Sequence, residues 1–148
     1  MKKIKISEEF VQNLLDVLPS WHSKLVRPFK DMLNREMSLE TYYCLETVKL
    51  CGMMTMTELA SQLNIPKQQV TKLVDKLCEY QFIERVYKEK DRRAIWIRLT
   101  PRAVEYMDEY YKKNTGFIKS LEEQLTEEEL HRLNDAVAVL GEILPRLK

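Results

Sequence analysis

Apolar side chains recur along this chain in two rhythms. From residue 56 to 77, and again on both flanks, they return every three or four positions, the period of a helix with one buried face. From 82 to 99 they fall in short runs that alternate, the period of a strand. Thr55 and Glu58 have the T-x-x-E spacing of a capping box, so a helix is predicted to start near Met56 and to bury Leu59, Ala60 and Leu63. Asn64 falls where the chain must turn, and asparagine tolerates a left-handed backbone better than most residues. After Pro66 a second helix begins. Val70, Leu73, Val74 and Leu77 form its apolar side, and Lys67, Gln68, Gln69, Thr71, Lys72, Asp75 and Lys76 its polar side. Ala60 is small where the two helices must cross closely.

The strand runs 82–87 and 94–99 flank Lys88, Glu89, Lys90, Asp91, Arg92 and Arg93, which predicts an antiparallel hairpin with a charged tip. Ile95, Ile97 and Leu99 alternate with Trp96 and Arg98, as in a strand with one face on a core and one toward solvent. Two helices at this spacing followed by such a hairpin describe a winged helix-turn-helix, a shape that grips DNA. Glutamine can bond adenine twice, lysine reaches guanine acceptors, and threonine offers a hydroxyl or a methyl, so the polar helix face suits a major groove. A solvated helix surface has the same composition.

Charge favours the first reading. The chain carries a net charge of only +1, yet from Lys67 to Arg98 nine Lys or Arg face five Asp or Glu, whereas from Glu105 to Glu129 eight acids face three bases. Positive charge gathered on one segment of a nearly neutral chain predicts a local polyanion-binding surface.

The flanks carry longer apolar series. After a Thr126–Glu129 capping box, Leu130, Leu133, Val137, Leu140, Leu144 and Leu147 follow a 3-4-3-4-3 spacing, a narrow seam for another helix. Thr100 and Pro101 start another helix, in which Val104, Met107, Tyr111, Asn114, Ile118, Leu121 and Leu125 keep the alternation. Asn114 either fixes register in a paired helix or faces water, with Gly116 marking a local irregularity. Near the N-terminus, Phe10, Leu14 and Val17 form one stripe with Val11, Leu15 and Leu18 beside it, and Pro19 and Pro28 are expected to interrupt or kink that helix. Such stripes exceed what a single chain of this length can cover internally.

Composition narrows the remaining classes. Three glycines, five prolines, 45% hydrophobic and 32% charged residues describe a helix-rich domain without long linkers. No apolar run approaches a membrane span, and the basic start from Met1 to Lys5 leads into an acidic amphipathic segment rather than a secretory signal, so a cytoplasmic protein without membrane contact is expected. Cys44, Cys51 and Cys78 are too few and too far apart for a disulfide framework or a C-x-x-C site, and His22 and His131 lie in no ligand cluster, so no metal or cofactor is expected. No H-E-x-x-H, glycine-rich phosphate loop or G-x-S-x-G elbow is present, which argues against an enzyme. A winged-helix module that binds protein instead of DNA is the main alternative from a different class.

The segments MTELASQLNIPKQQVTKLVDKL, FIERV and DRRAIWIRLTPRA resemble the MarR-type transcriptional regulators, with looser similarity on both sides. The resemblance implies a mainly α fold with a small antiparallel β-hairpin wing, in which a winged helix-turn-helix lobe at 37–100 is flanked by dimerisation helices at 1–36 and 101–148. It places Lys67 to Lys72 at the major groove, sends Arg93 of the D-x-R wing motif into the minor groove, and has Asp91 steady the wing by pairing with a nearby arginine. Arg85 is then a partner for Asp91 or the backbone. The expected DNA contacts are Lys67, Gln68, Gln69, Thr71, Lys72, Lys76, Arg85, Lys88, Lys90, Arg92 and Arg93.

The same resemblance implies a homodimer reading pseudopalindromic half-sites about 10 base pairs apart, acting as a repressor released by a small-molecule effector. Trp21, His22, Met32, Tyr42, Tyr43 and Cys44 are candidates to line the effector cleft, with spacings that equally fit core packing. Some relatives switch through thiol oxidation, and Cys78 lies late in the reading helix, so a redox-sensing regulator is a further alternative. Three positions depart from the family pattern: Gln81 and Ala103 stand where glycine is common, and Pro66 where a serine is common.

Overall fold

The computed structural model describes residues 3–33, 37–88, 91–113 and 115–148. They fall into two units, 1–38 and 39–148. In the first, α1 (Ile6–Trp21) passes into one π-helical turn (His22–Val26) and then α2 (Arg27–Met32). Pro19 lies inside α1 rather than ending it. Its ring removes the hydrogen bond that the carbonyl four residues earlier would accept, and the wider turn follows at His22. Pro28 stands in the first turn of α2, directly after the π-helical turn, and its ring removes a backbone donor that a continuous helix would otherwise use. The expected interruption is therefore a change of winding. No residue of α1 is buried, and Phe10, Val11, Leu14, Leu15, Val17 and Leu18 are all exposed.

The second unit runs α3 (Leu39–Cys51), β1 (Met53–Thr55), α4 (Met56–Leu63), α5 (Lys67–Glu79), β2 (Ile83–Lys88), β3 (Asp91–Leu99), α6 (Pro101–Lys113), α7 (Thr115–Gln124) and α8 (Glu127–Ile143). Its core is made where α3, α4, α5 and β3 meet: Cys44, Leu45, Val48, Leu59, Val70, Val74, Leu77 and Ile97 are fully buried. The apolar sides expected of α4 and α5 are the sides that supply these residues, with Leu63 and Leu73 half-buried at the edge.

The sheet has three antiparallel strands in the order β1-β3-β2, one more than the sequence predicts. Gly52, at φ 81, turns the chain out of α3, and β1 then pairs Met53 with Arg98, Met54 with Ile97 and Thr55 with Trp96. On the other side β2 pairs Ile83 with Leu99 through Val86 with Trp96, slips by a bulge, and closes with Lys88 opposite Asp91. The strands extend further into the charged segment than expected, so Lys88 and the backbone of Asp91, Arg92 and Arg93 belong to strands rather than to a free loop.

A turn of hydrogen bonds joins the wing to α6. Gln81 takes the left-handed conformation, φ 62, that glycine would adopt more easily. Its carbonyl accepts the Thr100 hydroxyl at 2.6 Å, and that hydroxyl in turn accepts the Ala103 N–H at 3.2 Å. Ala103 and Met107 are buried, and Phe82 meets Tyr106 with ring centroids 4.8 Å apart. The apolar series read as one helix from Pro101 to Leu125 is divided between α6 and α7, and Asn114 lies outside the described residues.

Thr126 and Glu129 make the reciprocal bonds of the expected capping box at the start of α8. These bonds hold the Glu129 carboxyl below the usual carboxylate range. The α-helix stops at Ile143 and a 3₁₀ turn (Leu144–Arg146) follows, so Leu144 and Leu147 lie beyond the regular seam. No residue of α8 is buried; Leu133, Val137 and Ile143 are exposed.

Candidate nucleic-acid interface

Local chemistry builds the reading helix. Thr55 accepts the Glu58 N–H at 3.1 Å while Glu58 accepts the Thr55 N–H at 3.1 Å, which starts α4. Asn64, at φ 53, ends it in the left-handed conformation expected of the turn. Pro66 has no capping side chain, but its carbonyl accepts the N–H groups of Gln69 at 3.0 Å and Val70 at 3.1 Å, so α5 begins without the hydroxyl.

With Val70, Val74 and Leu77 held in the core, α5 leaves Lys67, Gln68, Lys72, Asp75 and Lys76 exposed and Gln69 and Thr71 half-buried. The Thr71 hydroxyl donates to the Lys67 carbonyl at 3.0 Å, and Gln69 Nε2 donates to Glu40 Oε2 on α3 at 2.8 Å.

Between α5 and the sheet lies a hollow of about 360 Å³, lined by Lys67, Thr71, Arg85 and Arg93 together with Thr55, Met56, Thr57, Ala94 and Ile95. Four of the expected DNA contacts thus converge from the reading helix and both wing strands, three of them cationic. Arg85 pairs with Asp75 on α5, a partner the sequence does not announce, and its Nη1 lies 3.5 Å from Cys78 Sγ. The hydrogen bond that Arg85 donates to the Asp75 carboxylate raises the guanidinium's affinity for its proton.

The remaining wing cations behave differently. Lys88 Nζ lies 3.6 Å from the centroid of the Trp96 ring, a cation–π contact on a strand neighbour. The Trp96 Nε1 group is buried and has no hydrogen-bond partner among the described residues. Lys76 Nζ lies 6.0 Å from the Tyr80 ring. Arg98, left off the expected contacts, is taken up by Glu84 directly opposite on β2, at 2.5 Å. Lys90 lies outside the described residues, as do the side chains of Asp91 and Arg92.

Of the candidate effector-cleft residues, Trp21 and His22 are exposed and Met32 half-buried in the first unit; in the second, Tyr42 and Cys44 are buried and Tyr43 is exposed. Tyr42 donates to Glu46 Oε1 at 2.8 Å and packs against Tyr110 with ring centroids 5.5 Å apart, and burial with this carboxylate neighbour raises its phenol's pKa. Burial, helped by the nearby Glu40 carboxylate, pushes the Cys44 thiol up to about 12. Burial also raises the Cys78 thiol, against the opposing pull of Arg85. Both environments disfavour the thiolate through which oxidation proceeds, and Cys51 is the exposed cysteine of the three. Among the described residues no group of three or more His, Cys, Asp or Glu is placed to hold a metal, and no helix is long and apolar enough to cross a membrane.

Residues 37–95 match the MarR family model. The chain is 22% identical over 130 residues to the uncharacterized HTH-type transcriptional regulator YpoP of Bacillus subtilis, across 88% of this chain and 92% of that protein. It is 30% identical over 91 residues to the HTH-type transcriptional repressor YetL of the same organism, across 62% of this chain and 53% of that protein. Its fold is similar to the crystal structure of a MarR mutant from E. coli complexed with operator DNA, with a TM-score of 0.63 and 16% identity, covering 86% of this chain and 95% of that one. The helix-turn-helix and wing built within residues 37–95 thus match the MarR family of transcriptional regulators, on a fold similar to MarR structures along most of the chain.

Proposed function

We propose that the chain is a sequence-specific DNA-binding repressor that acts as a homodimer, with α5 in the major groove and the wing against the minor groove. The observation that carries this reading is the convergence of Lys67, Thr71, Arg85 and Arg93 beside the exposed polar side of α5. Cations placed on two elements at once track phosphates across a groove, and the glutamines and Lys72 on the helix between them read base edges. The similarity to a MarR structure holding operator DNA supports this arrangement.

The apolar residues exposed on α1 and α8 support self-association through both ends of the chain, because such stripes are stable in water only when covered. Two copies then present two reading helices to half-sites about one DNA turn apart. YetL, 30% identical over 91 residues, is named a repressor, and repression is the direction we assign. Release requires a ligand that prefers a dimer whose reading helices no longer match that spacing, since a ligand with equal affinity for both states shifts nothing.

The test is selection of bound fragments from the source genome, followed by anisotropy titrations of the enriched duplex over a range of salt. A repeated palindromic site, bound with an affinity that falls steeply as salt rises, is expected. No enrichment, with binding indifferent to salt, would make the winged helix a protein-binding module instead.

A further inference from the structure

One polar contact of the reading helix reaches outside it. Gln69, which the proposed function places at the major groove, donates from Nε2 to Glu40 Oε2 at 2.8 Å, across 29 residues of sequence. Glu40 lies in the first turn of α3 and is exposed, while Gln69 is half-buried. An ionised carboxylate only accepts hydrogen bonds, so the amide nitrogen must face it, and the orientation of the carboxamide follows from the chemistry of its partner. The neighbouring Gln68 is exposed and has no such tether among the described residues.

We infer that Glu40 is a specificity-determining positioning residue, which orders the Gln69 carboxamide to read adenine. The inference rests on the proposed DNA-reading function. A carboxamide nitrogen carries two N–H groups. With one given to Glu40, the other remains beside the carbonyl oxygen, and that donor–acceptor pair is what the N7 and N6 edge of adenine requires. A glutamine side chain is otherwise free about several torsions, and ordering it on DNA opposes binding. Here the ordering is done before DNA arrives.

The carboxylate also has a second effect. It places a negative charge at the edge of a basic surface, where it opposes attraction to phosphates of any sequence. Glu40 thereby weakens indiscriminate binding while sharpening one base contact, and discrimination between sites is a difference between those two quantities. Geometry and charge can be separated by substitution, because Glu40→Asp keeps the charge but withdraws the carboxylate by one methylene, and Glu40→Gln keeps the reach and an accepting oxygen but removes the charge.

The experiment is selection from a randomised duplex library with the full chain, its Gln69→Ala variant, and the two Glu40 variants, with thermal melts to confirm folding. The base position that Gln69→Ala relaxes identifies the base read by Gln69. Glu40→Asp is expected to relax adenine preference at that same position about fivefold or more, with other positions unchanged. Glu40→Gln is expected to keep that preference while binding scrambled duplex more tightly. The inference is overturned if Glu40→Asp keeps the full preference, if both Glu40 variants change affinity for every sequence by one common factor, or if the base at that position is not adenine. A parent chain that selects no sequence at all would instead overturn the DNA-reading function, and this inference with it.

Discussion

Asp75 and Arg85 form an ion pair that ties the reading helix α5 to the first wing strand β2. The two side chains are 55% and 27% exposed, so solvent screens the attraction, and the pair is worth only a fraction of what a buried one would be. Its structural effect is larger than its energy. It holds one cation of the hollow between helix and wing at a set place and joins the two elements that the proposed function sets in neighbouring grooves. Asp75→Asn is expected to lower stability by about 0.5 kcal/mol in urea unfolding at low salt. The difference should shrink at 1 M salt; a loss unaffected by salt would mean that packing, not charge, is what the variant removes.

Arg93 lines the same hollow from the second wing strand. Arg93→Ala is expected to weaken binding to the selected duplex by about 1–3 kcal/mol and to leave the sedimentation coefficient unchanged. Wild-type affinity at moderate salt would remove Arg93 from the interface.

The exposed side of α8 supplies the test of self-association. Val137 and Leu133 both face solvent in the single chain. A carboxylate at either position cannot be buried without cost, so Val137→Asp is expected to sediment as a monomer with its helical circular dichroism retained and its affinity for the palindromic site reduced at least tenfold by loss of the second arm. A variant that sediments as the parent does would place the subunit contact elsewhere.

Gln81 offers a test in the opposite direction. It holds a left-handed backbone, φ 62, where its side chain accepts from Arg102 Nη1 at 3.3 Å in an exposed contact. Glycine adopts that conformation without a Cβ penalty, so Gln81→Gly is expected to raise stability by about 0.5–1 kcal/mol despite the freer unfolded chain. A destabilised variant would show that the Arg102 contact outweighs the strain.

The buried thiol predicts the alkaline limit. Burial lifts Cys44 from about 9 to about 12, so below pH 9 the thiol is neutral in both folded and unfolded chains and its contribution is complete. Between those values the unfolded chain loses the proton and the folded chain keeps it, so stability falls as pH rises. Melting between pH 8.5 and 10.5 is therefore expected to drop more steeply in the parent than in Cys44→Ala. In the native protein at pH 8, maleimide should label Cys51 first, since Cys44 is buried and Cys78 half-buried; equal labelling of all three would contradict this packing.

Several of these features are legible in the chain because they are local. The capping boxes at Thr55 and Thr126 and the left-handed Asn64 each depend on residues three or four apart, where side chain and backbone meet whatever the rest of the fold does. The two helix faces that build the core are similarly set by periodicity. Strand β1 is illegible for the converse reason. Three residues are too few to show a period, and Met53–Thr55 is a strand only because β3 lies beside it. The full length of the wing strands is not legible in the chain because Lys88 and Asp91 to Arg93 have charged-loop composition, and cross-strand pairing overrides that preference.

The sequence by itself determined the period of each helix, the caps that start them, the turn at Asn64 and the segregation of positive charge onto residues 67 to 98, hence the winged helix and its resemblance to the MarR family. Tertiary structure alone decided which polar groups share a site. Asp75 with Arg85, Glu40 with Gln69, and Lys67 with Arg93 each come from different elements and meet only once α3, α5 and the sheet close on Leu45, Val74 and Ile97. Hydrophobic burial is non-directional, so it brings these elements together without naming the pairs at their edges; those depend on the register and angle of packing, which no local pattern encodes.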